Sequence, residues 1–241
     1  MGSEADSVTI TDASPARFSG EGVRAGALAA LPVAVGIFTY GLVFGVLARA
    51  AGLSALEAVL MSLIVSAGSS QFAAIGLWSQ PLPIAAIVLT TLVVNLRHIL
   101  MGAALRPWFG GLSVWQKLGS LHFVSDEAWA LTMGYRTRGG NDRAFLLGSG
   151  IVTYAAWTGS TAAGYAFGSI LPDPTTTGLD FAFTAVFIAL LAGMWRGRRD
   201  LLPWIVAGVA ACLAAALLPG KWYILAGALA GSLAGATRDD G

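Results

Sequence analysis

The chain has 241 residues, of which 56% are hydrophobic and 11% charged, with a formal net charge of +1. Soluble domains carry about 25% charged residues, so this composition excludes a water-soluble globular protein. The balance also lacks the basic excess expected for a nucleic-acid partner. The single cysteine, Cys212, excludes a disulfide framework or a Cys/His metal cluster and reads as a small buried apolar residue in its Ala/Leu run. The class that remains is an all-α polytopic membrane protein in a lipid bilayer.

Residues 1–22 are polar and read as a disordered tail. They are acidic rather than basic, and the apolar run that follows is too long for a signal peptide. Ala25 to Ala48 carries no Asp, Glu, Lys or Arg over 24 residues, enough to cross a bilayer core of roughly 30 Å. Its Gly41-x-x-x-Gly45 spacing permits close helix packing. Gly52-Leu53-Ser54 is a turn and cap, with Glu57 completing a capping-box pattern. A second helix runs from about Glu57 to Trp78, and its middle is Ser66-Ala67-Gly68-Ser69-Ser70-Gln71. Six small or polar residues at mid-depth fit either a closely packed helix or one opened locally toward a ligand, as in transporter sites.

Helix 3 follows Pro83 and carries Asn95-Leu96-Arg97-His98 inside the apolar run Leu82 to Leu105. An arginine at the centre of a membrane helix costs roughly 2.5–3.5 kcal/mol on insertion scales and normally faces a bundle interior or a wet cavity. Ser113 to Met133 holds Lys117, His122, Asp126 and Glu127 among apolar residues, so it either crosses with its polar face inward or lies at the interface. Further apolar runs are Ala144 to Leu171, Leu179 to Trp195, Leu201 to Leu218 and Trp222 to Ala236. The count is about eight spans if Ser113–Met133 crosses and nearer seven if it does not. Loops 135–143 and 196–200 hold three arginines each, and loop 172–180 holds no Lys or Arg. By the positive-inside rule the first two are cytoplasmic and the third external.

A shift of 123 residues matches Gly36, Gly41, Phe44 and Gly45 to Gly159, Gly164, Phe167 and Gly168. After a slip, a shift of 125 matches Ala67-Gly68 to Ala192-Gly193 and Ile99-Leu100 to Ile224-Leu225. The shared order points to two internal repeats with broken helices, units 24–105 and 144–236, joined by 106–143 within one transmembrane domain, 23–238. Asn95 to His98 then aligns with Gly220-Lys221-Trp222-Tyr223 after Pro219, which makes it a candidate helix joint.

An amino-acid-like solute needs donors for a carboxylate, acceptors for an ammonium and an apolar pocket. Backbone amides opened around Gly68, Ser69 and Ser70, helped by Gln71, are the first carboxylate candidates. Arg97 is the second, unless it makes a structural pair with Asp126, Glu127 or a carbonyl. Asn95 is either a ligand contact or a hydrogen-bonding joint residue. Asp126 and Glu127 are candidates for holding an ammonium or carrying a proton, or are solvated if the segment is interfacial. His98 and His122 titrate near neutrality unless they serve packing. No His-Glu-x-x-His occurs, and Gly148-Ser149-Gly150 is only a fragment of an intramembrane protease turn, so no enzyme is expected. A structural or assembly subunit, or a channel, is the alternative to a carrier.

Several motifs fall in order: Phe44-Gly45-x-Leu47-Ala48, Gly52-Leu53-Ser54, Ala67-Gly68-Ser69-Ser70-Gln71-Phe72-Ala73, Asn95-Leu96-Arg97-His98-x-Leu100-Met101-Gly102 and Ser125-Asp126-Glu127-x-Trp129-Ala130-Leu131. Together they resemble the AzlC family of branched-chain amino acid permeases, strongly over Arg24 to Gly134 and loosely beyond. Ser66 and Ser69 depart from the Phe and Ala of the family pattern, and Val124-Ser125 replaces Leu-Thr. The resemblance implies secondary export of leucine, isoleucine, valine or similar amino acids across a bacterial cytoplasmic membrane. It also implies a small AzlD-type membrane partner and no cofactor.

Overall fold

The computed structural model describes residues 17–170, 197–218 and 222–237, together with Ile188, Ala192 and Trp195. Among them the regular elements are helices: α1 (Gly20–Ala50), α2 (Ala55–Ile64), α3 (Gly68–Gly76), α4 (Ile84–Asn95), α5 (Arg97–Leu105), α6 (Val114–His122), α7 (Asp126–Thr137) and α8 (Ala144–Phe167). A 3-10 turn (Arg198–Asp200), α9 (Leu201–Leu217) and α10 (Trp222–Ala236) follow. Among the described residues, three stretches are long and apolar enough to cross a membrane: α1, the run Ile84–Leu105, and Arg198–Leu217. The helical membrane class read from the sequence is the class observed. Residues 1–16 of the expected tail, the Leu179–Trp195 span apart from Ile188, Ala192 and Trp195, and the Pro219–Lys221 joint lie outside the described residues. Helix α1 already begins at Gly20, inside the stretch assigned to the tail.

Contacts divide the chain into two units, Met1–Leu31 with Met101–Val152, and Pro32–Leu100 with Thr153–Gly241. In the first unit one carboxylate ties two helix starts together. Asp142, 6% exposed, accepts from Ser19 N at 3.2 Å, from Ser19 Oγ and from Ala144 N at 3.1 Å, and pairs with Arg17. It therefore sits where the positive ends of α1 and α8 face it. The two helices run side by side in the same direction. Gly26 lies against the backbone of Phe145 and Ser149, and Gly148 against Val23. Segment Ser113–Met133 is not one helix but α6 and α7, of 9 and 12 residues. Leu112, just before α6, shares a cluster with Leu105, Trp108 and Leu146, and Met133 and Tyr135 of α7 pack on that same cluster. Between the two helices Val124 packs on that cluster as well, and Phe123 lies over Gly150.

The second unit is built on Phe44, Phe72 and Trp157, with Phe44–Phe72 and Phe44–Trp157 ring centroids 5.5 and 5.6 Å apart. Here too α1 and α8 are parallel: Gly41 lies on Ser160, Gly45 on Thr161 and Gly164, and Gly164 on Leu42. The expected helix Glu57–Trp78 is divided. The Ser54–Glu57 capping box opens α2, and Ser66 adopts φ 45°, a left-handed conformation uncommon outside glycine. Gln71 Nε2 donates to Ser62 Oγ at 3.0 Å. Residues nine apart on a straight helix would be about 13.5 Å apart, so the chain turns back on itself at Ser66.

The joint at Asn95–His98 is milder than its alignment implied. Leu96 stays right-handed (φ −53°, ψ −27°), and its N–H still reaches Leu92 O at 3.0 Å. The second half differs, because α9 and α10 fold back on each other: Gly227 and Gly231 lie on Ala207. Cys212 is exposed rather than buried. The α9–α10 contact uses the small residues Ala207, Ala211 and Pro203, and Cys212 is outside that contact.

Candidate functional site

The turn at Ser66 leaves backbone groups without helical partners, and α8 satisfies some of them. Tyr154 Oη donates to Leu63 O at 2.8 Å, the carbonyl that Ala67 N–H would bond in an unbroken helix. At the other end of α2, Tyr165 Oη donates to Leu53 O at 2.8 Å. Gln71, fully buried, is held at both ends of its amide. Trp157 Nε1 donates to Oε1 at 2.8 Å, and Nε2 donates to Ser62. An indole N–H only donates, so the amide orientation follows from chemistry. Ser62 and Thr161 hydroxyls meet at 2.9 Å, and Thr161 Oγ1 donates to Trp157 O at 2.9 Å.

On the other side of the turn, α3 starts at Gly68 with no side-chain cap at Ala67. The first amides of a helix lack intrahelical acceptors and carry partial positive charge. Arg97 Nη2 donates to Ser69 Oγ at 2.7 Å, so a guanidinium adjoins the same first turn. Asn95, two residues earlier, has its Oδ1 buried without a hydrogen-bond partner. His98 Nδ1 lies 3.2 Å from Asn95 O. A carbonyl only accepts, so in this contact Nδ1 is the donor.

Between α3 and α4 is a pocket of about 430 Å³ lined by Met61, Val65, Ser70, Gln71, Ala74, Ile87, Val88, Thr91, Leu92 and Asn95. Its walls are aliphatic, with polar side chains confined to Ser70, Gln71, Thr91 and Asn95. Its size is in the range of small-molecule sites, about 300–1,000 Å³.

The sequence candidates Gly68, Ser69, Ser70, Gln71, Asn95, Arg97 and His98 all fall in this unit. Asp126 and Glu127 fall in the other, as the first two residues of α7, where Ser125 Oγ accepts from Ala128 N at 3.2 Å. Among the described residues no group of three His, Cys, Asp or Glu side chains could hold a metal ion. Sequence reasoning missed Ser62, Tyr154, Trp157 and Thr161. No signal marked them, because the same run also holds Ser149, Thr153, Thr158 and Ser160.

The AzlC protein family matches residues 32–171. The chain belongs to the AzlC family. A membrane protein of Archaeoglobus fulgidus is 37% identical over 216 residues, 87% of this chain and 92% of that one. The branched-chain amino acid transport protein AzlC of Bacillus subtilis is 28% identical over 70% of this chain and 66% of its own length. The inner membrane protein YgaZ of Escherichia coli is 27% identical over 84% and 85%. No solved structure matches the chain. This AzlC-family protein is thus a membrane protein of a family with a named transporter, and its turn at Ser66 lies within the matched residues.

Proposed function

We propose that this protein is a secondary carrier that exports branched-chain or similar aliphatic amino acids across a bacterial cytoplasmic membrane, as a multi-pass subunit beside a small AzlD-type partner. The observation that carries the reading is Arg97 bonded to Ser69 on an uncapped helix start, beside an apolar pocket. A substrate carboxylate takes the amides of Gly68, Ser69 and Ser70 and the guanidinium of Arg97. Asn95 Oδ1 accepts from its ammonium, and its aliphatic chain enters the pocket between α3 and α4. Asp126 and Glu127, with His98, are the groups proposed to couple movement to protons.

Leucine counterflow in proteoliposomes tests this, because counterflow reads carrier activity without a driving gradient. Arg97→Ala is expected to fall below about a tenth of wild type, as an ion-paired hydrogen bond contributes about 1.5–3 kcal/mol, while its level in the membrane is retained. Wild-type counterflow in that variant would remove the site. Efflux should also lose its pH dependence in Glu127→Gln or Asp126→Asn, and an unchanged profile in both removes proton coupling through this pair. Efflux measured with and without the co-expressed small subunit decides the partner.

A further inference from the structure

Four residues behind the candidate site form a circuit that closes through the Trp157 carbonyl. Trp157 Nε1–H donates to Gln71 Oε1, and Gln71 Nε2–H donates to Ser62 Oγ. Thr161 has one hydroxyl hydrogen, and it goes to Trp157 O. In the Ser62–Thr161 contact Ser62 must therefore be the donor. Every link runs in one direction, and the circuit begins and ends on Trp157. Ser62, Gln71 and Thr161 are fully buried and Trp157 is 8% exposed, so water does not compete. Hydrogen bonds linked in one direction in a dry interior strengthen one another. The circuit joins α2, α3 and α8 across the turn at Ser66, and Trp157 also packs on Gly68, the first residue of α3.

We propose that Gln71, Ser62, Thr161 and Trp157 are a positioning ring that fixes the first turn of α3 in place before a ligand arrives, with Gln71 acting on that turn and not on substrate. This rests on the reading of Gly68–Ser70 and Arg97 as the carboxylate site. It gives Gln71 a different role from direct ligand contact, because its carbonyl and one amide hydrogen are already committed to protein partners.

Two measurements on the full chain test the ring. The first needs no transport. In a Cys212→Ser background, Ser69→Cys reports the exposure of the α3 first turn to N-ethylmaleimide in native membranes. Thr161→Val keeps the shape of residue 161 and removes both of its links, so labelling should quicken roughly tenfold, the equivalent of one buried hydrogen bond. An unchanged rate overturns the ring. The second is leucine counterflow. Ser62→Ala and Thr161→Val should each raise the half-saturation concentration roughly tenfold with the maximal rate kept. Thr161→Ser should restore it, and the double variant should be no worse than either single, since a ring can be opened only once. Additive losses overturn the proposal. So does damage in Gln71→Met with Thr161→Val within twofold of wild type, which returns Gln71 to substrate contact. If the wild-type chain carries no leucine, the functional reading falls, and the labelling result alone decides the ring.

Discussion

Arg97 shows how one residue is kept in an apolar run. Its guanidinium donates to Ser69 Oγ, so one of its N–H groups has a protein acceptor rather than lipid. A lysine there would keep the charge but lose the planar fork that grips a carboxylate at two points. Arg97→Lys should therefore insert normally and bind leucine roughly tenfold more weakly, which half-saturation in counterflow reads directly. The pocket gives a second outcome at this scale. Ala74 is 2% exposed and lines it. Ala74→Leu should fill it and turn preference from leucine toward alanine by about tenfold or more, since one methylene is worth about 10–200-fold in an apolar pocket. Competition of alanine against labelled leucine measures the change. Arg97, Asn95 and Gly68 to Gln71 stood out in the sequence as candidates because polar groups are conspicuous in membrane runs. Trp157 and Thr161 did not, because both are ordinary in such runs. Their partners lie 86 and 99 residues away, beyond anything spacing can report.

At the scale of elements, α1 and α8 pack backbone to backbone through glycine. A Cβ at Gly45 would overlap Thr161 O, and one at Gly164 would overlap Leu42 O, whereas Gly36 has open space around it. Without a hydrophobic driving force between helices in lipid, close packing itself holds them. Gly45→Ala and Gly164→Ala should each destabilise the protein by about 1–3 kcal/mol through overpacking, and Gly36→Ala should leave it unchanged. Thermal unfolding in detergent separates the three. The sequence pointed correctly to Gly41 and Gly45 as a packing face and to Ser66–Gln71 as a weak point. It did not give the degree of bending. At Ser66 a left-handed residue turns the chain back. At Asn95–His98 no glycine or proline is present, and Leu and Arg are good helix formers, so the chain stays helical through the joint. The polar residues that suggested a break there instead face α3, where Arg97 bonds Ser69, and the pocket that Asn95 lines.

For the whole molecule, the parallel run of α1 and α8 constrains the topology. If α8 crosses beside α1, the two parallel helices are separated by an odd number of crossings. Among the described residues between them, Ile84–Leu105 is the stretch long and apolar enough to cross. The pairs α2–α3 and α6–α7 must then either both cross or both return to their side of entry. Helices of 10, 9, 9 and 12 residues rise about 15, 14, 14 and 18 Å, each near half of a core of roughly 30 Å. The Gln71–Ser62 bond favours return for α2–α3, and by this parity for α6–α7 as well. Arginine placement agrees. With the loop of Arg136, Arg138 and Arg143 cytoplasmic, a returning arrangement also puts Arg106 on the cytoplasmic side, whereas two full crossings would put it outside. Single cysteines in a Cys212→Ser background decide between them. Ala51→Cys and Ser79→Cys should both react with a membrane-impermeant maleimide added to intact cells, and Gly110→Cys and Asn141→Cys only after permeabilisation. Opposite sidedness of positions 51 and 79 would mean that α2–α3 crosses. The turn at Ser66 would then be a kink in a span rather than the tip of a half-depth pair, and the uncapped start of α3 would open toward the other face of the membrane.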